Sequence, residues 1–221
     1  MGVTERKARQ KESLRQEILD AARDILLSEG SSQLSMRRIA ERIEYTPTTI
    51  YLYFKDKADL LFHLCEEVYG KIADVMEAAG AGEKDSIACL SAMMRAYVEF
   101  GLAQPDRYRI AFMTDITPSV NPANFLKAGT MGLTAYELVR QRVKKLTEKG
   151  AGKAKEVEAV TQTIWAMAHG IVSLVIAHRD FPWAEQNLLV ETGVDLITRA
   201  LHARSGGSPA GPSGRGAGEK Q

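Results

Sequence analysis

A chain of 221 residues with 45% hydrophobic content is long enough to bury a sizeable core, as one large or two small domains. Its 29 Lys and Arg against 28 Asp and Glu leave a formal charge of +1, which excludes a uniformly basic nucleic-acid-coating surface and makes any positive potential local. Cys65 and Cys89 lie in apolar helical contexts without redox or metal spacing, no leader-like apolar region opens the chain, and no stretch reaches the ~18 uninterrupted apolar residues of a membrane helix, so the expectation is a cytoplasmic protein with free thiols and no membrane contact.

Residues 1–12 carry Arg6, Lys7, Arg9 and Lys11 among few apolar side chains and read as a mobile basic arm. Such an arm is either solvated or lies along phosphates or in a minor groove. Ser13 and Gln16 then read as a capping box, and Ile18, Ala21, Ala22 and Ile25 as the buried stripe of a first helix ending before Gly30.

The stretch from Ser35 to Lys57 organises the rest. Met36, Ile39, Ala40 and Ile43 recur at helical spacing, with Ser35 as N-cap and Arg37, Arg38 and Arg42 on the other side. The apolar run halts at Glu44-Tyr45, and Thr46 followed by Pro47 supplies a second cap with proline at the first helical position. The helix that follows holds Thr48, Thr49, Ile50, Tyr51, Leu52 and Tyr53 and is barely two turns long, too short to stand without a scaffold. Threonine hydroxyls and methyls, tyrosine donors and Lys55 and Lys57 suit a polyanion, and no carboxylate interrupts Tyr45 to Lys55.

Those residues resemble the N-terminal domain of the TetR family of transcriptional regulators, whose helix-turn-helix ends in Tyr-x-Tyr/His-Phe-x-x-Lys-x-x-Leu; here it reads Tyr51-Leu52-Tyr53-Phe54-Lys55-Asp56-Lys57-Ala58-Asp59-Leu60. The resemblance covers roughly residues 13–72. Two positions depart from it: Glu44 stands where glycine is frequent in the turn, and Thr48 where glycine is frequent early in the second helix. Glu44 is therefore expected to adopt a left-handed conformation. The resemblance implies DNA contacts at Arg37, Tyr45, Thr46, Pro47, Thr48, Thr49, Tyr51, Tyr53 and Lys57, with Lys57 as a phosphate anchor.

Asp56 and Asp59 open a long helix with Leu61, Leu64, Cys65, Val68, Ile72 and Val75 on its apolar face, running from 57 to about 79, where Gly80-Ala81-Gly82 ends it. Amphipathic helices follow over 85–104, stopped by Pro105, and over 106–113. Asn121-Pro122 is expected to open a helix running to 149–150, weakened early by Gly129 and Gly132. The last two helices, 156–178 and one opening at Pro182-Trp183, are the most apolar. Ala166, Gly170, Ser173 and Ala177 make a small-residue stripe on the first, and Leu189, Gly193, Leu196, Ile197 and Ala200 line the second. Close packing within one chain or a symmetric homodimer through these two helices both fit, and the resemblance points to the homodimer. Residues 205–221 are Gly/Pro/Ser-rich and read as a disordered tail.

No strand pattern appears, so the expected fold is all-α: a helix-turn-helix domain over 13–57, linked through the helix 57–79 to a C-terminal helical bundle over 58–204 for effector binding and dimerisation. Within that bundle Met93, Tyr97, Tyr108, Phe112, Phe125, Met131, Trp165 and His169 combine soft apolar surface with polar tips, either as ordinary core or as the wall of a small-molecule cavity. The Trp165–Gly170 run also resembles a Trp…His-Gly signature of one class of TetR-type C-terminal domains. No metal-ligand spacing, phosphate-binding glycine loop or nucleophile motif is present, so neither a cofactor nor catalysis is expected. The reading is a DNA-binding regulator, a repressor released from an inverted-repeat operator in double-stranded DNA by a small-molecule effector. Its rivals are a TetR-like protein controlled by a protein partner, and an all-α enzyme on a borrowed fold.

Overall fold

The computed structural model describes residues 2–83, 85–116, 119–147 and 154–205. Of the expected tail over 205–221, Ser205 is the last residue of a helix and the rest lies outside the described residues, as do residues 149–150 at the expected end of the helix opened by Asn121-Pro122. Every regular element described is helical: α1 Val3–Glu29, α2 Met36–Arg42, α3 Pro47–Tyr51, α4 Lys57–Gly80, α5 Ser86–Ala103, α6 Pro105–Phe112, a 3-10 turn Pro122–Leu126, α7 Met131–Thr147, α8 Ala154–Ala177 and α9 Gln186–Ser205. The fold is all-α, with helix-turn-helix elements first and a helical bundle after them.

Most starts and stops have a local cause. The Ser35 hydroxyl accepts from Arg38 N–H at 3.2 Å, Thr46 from Thr49 N–H at 3.3 Å, and Asp56 from Asp59 N–H at 2.8 Å, each satisfying an otherwise orphaned helix N–H. Pro47 sits in the first turn of α3. Glu44, in the turn between α2 and α3, has φ 59°, the left-handed conformation expected of it.

Three boundaries differ from the sequence expectation. The basic segment is helical, so α1 begins at Val3 and Ser13 and Gln16 lie inside it rather than capping it. The reason is local: residues 3–12 contain strong helix formers and no Gly or Pro, and the Glu5 carboxylate accepts from Gly2 N–H at 3.1 Å to close the first turn. Asn121-Pro122 opens only a 3-10 turn, because the chain reverses at Gly129, φ 87°, before α7 starts at Met131. Likewise α9 begins at Gln186 rather than at Pro182-Trp183.

Two apolar clusters hold the chain together. Ile18, Ala22, Ile25, Ile39, Ile50, Phe54, Leu60 and Leu64 form one, and Ile110, Ile116, Val120 and Phe125 from α6 and the segment after it join them. The second gathers Val68, Ile72, Met76, Met93, Tyr97, Tyr108, Val143, Val172 and Ile197 from α4 through α9. One helix, α4, serves both, giving Leu60 to Cys65 to the first and Val68 to Met76 to the second. Gly101 lets α5 and α8 approach closely, since a Cβ there would come within 2.5 Å of Val172 Cγ1.

By contrast α8 keeps an uncovered side. Lys155–Ala177 is long and apolar enough by composition to cross a membrane, yet most of it is unburied. Ala166, Leu174 and Ala177 are exposed, nothing approaches within 4 Å of a Cβ placed on Gly170, and Leu188 and Leu196 on α9 are exposed as well. The small-residue stripe read from sequence is thus left largely uncovered within the chain, Ala166 and Ala177 exposed and Gly170 and Ser173 half-buried.

Candidate nucleic-acid interface and aromatic cluster

The short α3 is held from below. Ile50 and Phe54 are fully buried against α1 and α4, and the Arg15 guanidinium lies 5.4 Å from the Phe54 ring centroid. Fixing these two residues leaves Thr46, Pro47, Thr48 and Tyr51 exposed on the outer side, with Thr49 and Tyr53 partly so and Tyr45 exposed in the turn before them. The Thr46 and Thr49 hydroxyls are 3.0 Å apart and order one another. Arg37 stands out into solvent from α2, its Nε–H donating to Glu41 at 2.9 Å. Arg38 and Arg42 both pair with Glu29 and so brace α2 against the end of α1. Of the nine residues expected at the DNA interface, six fall in the turn and α3, Tyr53 follows just after α3, and Arg37 and Lys57 lie on α2 and α4.

Lys57 is the one whose setting differs from a free anchor. Its ammonium donates to the Ser31 carbonyl at 2.7 Å, tying the start of α4 to the turn after α1. Two of its three N–H groups remain for a phosphate.

The eight residues expected to line an effector cavity separate into two groups. Phe125 and Met131 stand beside the first half of α4: Phe125 stacks on Phe62 with centroids 5.0 Å apart, and Met131 packs against Gly70. Met93 is core, 1% exposed, and lies beside the buried Cys89. Tyr97, Tyr108, Phe112, Trp165 and His169 form a second group, bridged to the first by Tyr69, whose ring meets both Phe112 and Phe125 edge-on; Trp165 is exposed at its rim, and all but Phe112 are joined by hydrogen bonds. Tyr97 and Tyr108 hydroxyls lie 2.8 Å apart, Tyr108 Oη lies 2.7 Å from His169 Nδ1, and Trp165 Nε1–H donates to Tyr97 Oη at 3.3 Å. The three clefts described on the surface are lined by other residues.

This chain has one consistent donor order. With His169 neutral and its proton on Nε2, Trp165 donates to Tyr97, Tyr97 to Tyr108, and Tyr108 to His169 Nδ1. Desolvation lowers the His169 pKa from its ordinary 6.5, which favours that neutral form. Burial pushes Tyr97 up to about 12 and Tyr108 well above the usual phenol range, so both keep their protons. Protonating Nδ1 would reverse the Tyr108 bond and leave one of the two tyrosine hydroxyl hydrogens without an acceptor in this group. Burial likewise pushes Cys65 to about 12, which makes its thiol inert. No group of three or more His, Cys, Asp or Glu that could hold a metal occurs among the described residues.

Sequence reading missed the contacts that join the two halves. Glu66 on α4 accepts from the backbone N–H of Met131 at 2.7 Å and of Gly132 at 3.2 Å, capping α7 from another helix. Its neighbour Glu67 pairs with Arg23 of α1 at 2.9 Å. Adjacent carboxylates on one helix are commonplace in sequence, and nothing local marks these two.

Comparison with known proteins agrees with this architecture. Residues 18–64 match the family described as "Bacterial regulatory proteins, tetR family", and residues 90–197 match "Tetracyclin repressor-like, C-terminal domain". Among curated proteins, a fatty acid metabolism regulator protein of Bacillus subtilis (strain 168) is 36% identical over 69 residues, 31% of this chain and 36% of that protein. An HTH-type transcriptional regulator of Saccharopolyspora erythraea is 30% identical over 96 residues, 43% of this chain and 41% of that protein. The matched stretches span well under half the length of these relatives. Among solved structures, a TetR family transcription regulator from Marinobacter aquaeolei VT8 superposes with TM-score 0.69 at 19% identity, covering 87% of this chain and 97% of that one. The fatty acid degradation regulator FadR from Bacillus halodurans gives 0.59 at 20%, covering 83% and 94%. With its helix-turn-helix and its C-terminal bundle each matched, the chain belongs to the TetR family of DNA-binding transcriptional regulators.

Proposed function

We propose that this regulator is a homodimeric repressor, released from an inverted-repeat operator by a small-molecule effector. The observation that carries the DNA half is the exposed, carboxylate-free surface of Tyr45 to Tyr53 mounted on the buried Ile50 and Phe54. Thr48, Thr49 and Tyr51 would sample base edges from a major groove, Thr46, Tyr53 and Lys57 would hold phosphates, and Arg37 would reach either. Two such helices about one turn of DNA apart, roughly 34–36 Å, read an inverted repeat. The uncovered stripe of α8 and the exposed Leu188 and Leu196 of α9 support the two-fold contact through these helices, where a second copy would bury apolar surface that a single chain leaves wet.

In this reading residues 13–57 bind DNA and 58–204 sense and dimerise, and α4, which contributes to both apolar clusters, links the two. The Tyr97–Tyr108–His169–Trp165 group supports an effector with an apolar body and a hydrogen-bonding group. Entry of such a molecule has to part side chains that are packed together here, and that repacking is the differential interaction a switch requires. Selection of duplexes from a random pool at stated salt, followed by sequencing, tests the DNA half: one inverted repeat should be enriched, and a pool that binds without enrichment refutes sequence-specific control. For the effector half, a compound at 100 times its Kd should add about 2.7 kcal/mol to stability and displace the operator.

The closed packing of Tyr97, Tyr108 and Phe112 favours one alternative, control by a protein partner with the aromatic group serving as core. A broad compound screen that raises Tm for no compound, together with operator release by a protein, would support that alternative.

A further inference from the structure

We propose that the N-terminal turns of α1 are a second DNA contact, a phosphate clamp that grips the backbone beside the bases met by α3; this rests on the DNA-binding reading above. Lys7, Gln10, Lys11 and Leu14 of α1 face Tyr45 and Tyr53 of the helix-turn-helix across one open cleft. Lys7 and Lys11 stand four residues apart and hence on one side of the helix, and neither ammonium is paired with a carboxylate among the described residues. Glu17, which also lines the cleft, lies about 9 Å beyond Lys11 and about 15 Å beyond Lys7 along the helix.

The helical form of this segment decides what it can touch. A helix is about 10–12 Å across with its side chains, while the minor groove of B-DNA is about 6 Å wide, so residues 3–12 in this conformation cannot thread that groove as an extended arm would. The backbone remains. Lys7 and Lys11 are separated by about 6 Å of helix rise, close to the rise of two base pairs, which lets each ammonium take its own phosphate. Tyr45 and Tyr53, on the opposite wall of the cleft, add hydroxyl donors to the same run of phosphates. Arg9 is two residues beyond Lys7, about 200° round the helix, and faces away. Contacts of this kind carry affinity and salt dependence without base preference.

The test measures Kd against salt for the full chain, on the selected operator and on a random-sequence duplex. Replacing both lysines (Lys7→Ala with Lys11→Ala) should lower the slope of log K against log salt by about 1.8 per bound subunit, so that between 50 and 200 mM salt wild type loses about twelvefold more affinity per bound subunit than the variant. Sequence preference should stay the same. The charge-keeping pair Lys7→Arg with Lys11→Arg should retain the wild-type slope, and Arg9→Ala should change it far less than the double alanine. An unchanged slope in the double alanine variant, confirmed folded by circular dichroism, would overturn the clamp, as would an equal loss from Arg9→Ala. An enriched inverted repeat with unaffected slope leaves the regulator standing and removes the clamp. A slope that falls on random duplex with no repeat enriched keeps the clamp and removes sequence-specific control.

Discussion

Removing the Glu66 side chain separates a capping role from mere occupancy of the helix junction. The Glu66 carboxylate accepts two backbone N–H groups at the start of α7, at 2.7 and 3.2 Å, from a partly buried position on α4. Loss of an N-cap acceptor costs about 0.5–2 kcal/mol, and loss of negative charge at a helix N-terminus adds about 0.3–1. Glu66→Ala is therefore expected to destabilise the fold by about 2 kcal/mol, a fall in Tm of about 4–8 °C for a chain of this size. Glu66→Gln keeps one acceptor oxygen for one of the two N–H groups and loses the charge and the other bond, so its cost should fall between zero and that of alanine. Because α4 also carries Glu67, paired with Arg23 of α1, loosening of α7 should be visible in amide exchange as faster opening of Met131 and Gly132 while α2 and α3 keep their protection. Paired thermal melts of the two variants, with hydrogen exchange read by peptide, are the assay. Equal Tm for alanine and glutamine, or a loss under 0.3 kcal/mol for alanine, would show that the carboxylate does not cap α7.

Lys57→Ala should weaken binding to all DNA sequences alike and flatten the salt dependence by about one unit of slope per subunit; an altered base preference in the sequenced pool would refute its phosphate role. The same variant should also lower Tm, because the bond to the Ser31 carbonyl is lost. The lowered pKa of His169 gives a pH signature: between its folded value and 6.5 the unfolded chain binds more protons than the native one. The stability owed to His169 is thus full above pH 6.5 and is lost as pH falls through that window. Melts of wild type and His169→Gln across pH 5 to 8 should show the smaller acid loss in the variant, and parallel curves would contradict the assignment. Glu44→Gly should relieve a left-handed residue that costs about 1–2 kcal/mol while adding chain entropy worth about 0.5–1, for a net gain of about 0.5–1 kcal/mol by thermal melt; a net loss would mean that the Glu44 side chain makes a compensating interaction.

What the sequence determined by itself is what depends on neighbours within one or two turns. The Met36, Ile39 and Ala40 stripe, the Ser35, Thr46 and Asp56 caps, Pro47 in the first turn and the positive φ of Glu44 all concern atoms at most four residues apart, and each appears where local rules put it. The family resemblance was legible for the same reason, since its signature is the register of such local elements. Local reading failed at residues 3–12, where weak amphipathicity hid good helix formers, and at 122–131, where Gly129 outweighed the Asn121-Pro122 start signal. Only the tertiary structure decided which residues share a site. The Tyr108–His169 bond spans 61 residues and the Trp165–Tyr97 bond 68, while Glu66 reaches Met131 across 65. Such pairs form because helix faces meet at particular heights and angles once apolar surface has been buried, and no periodicity along a single helix encodes the height at which its partner arrives.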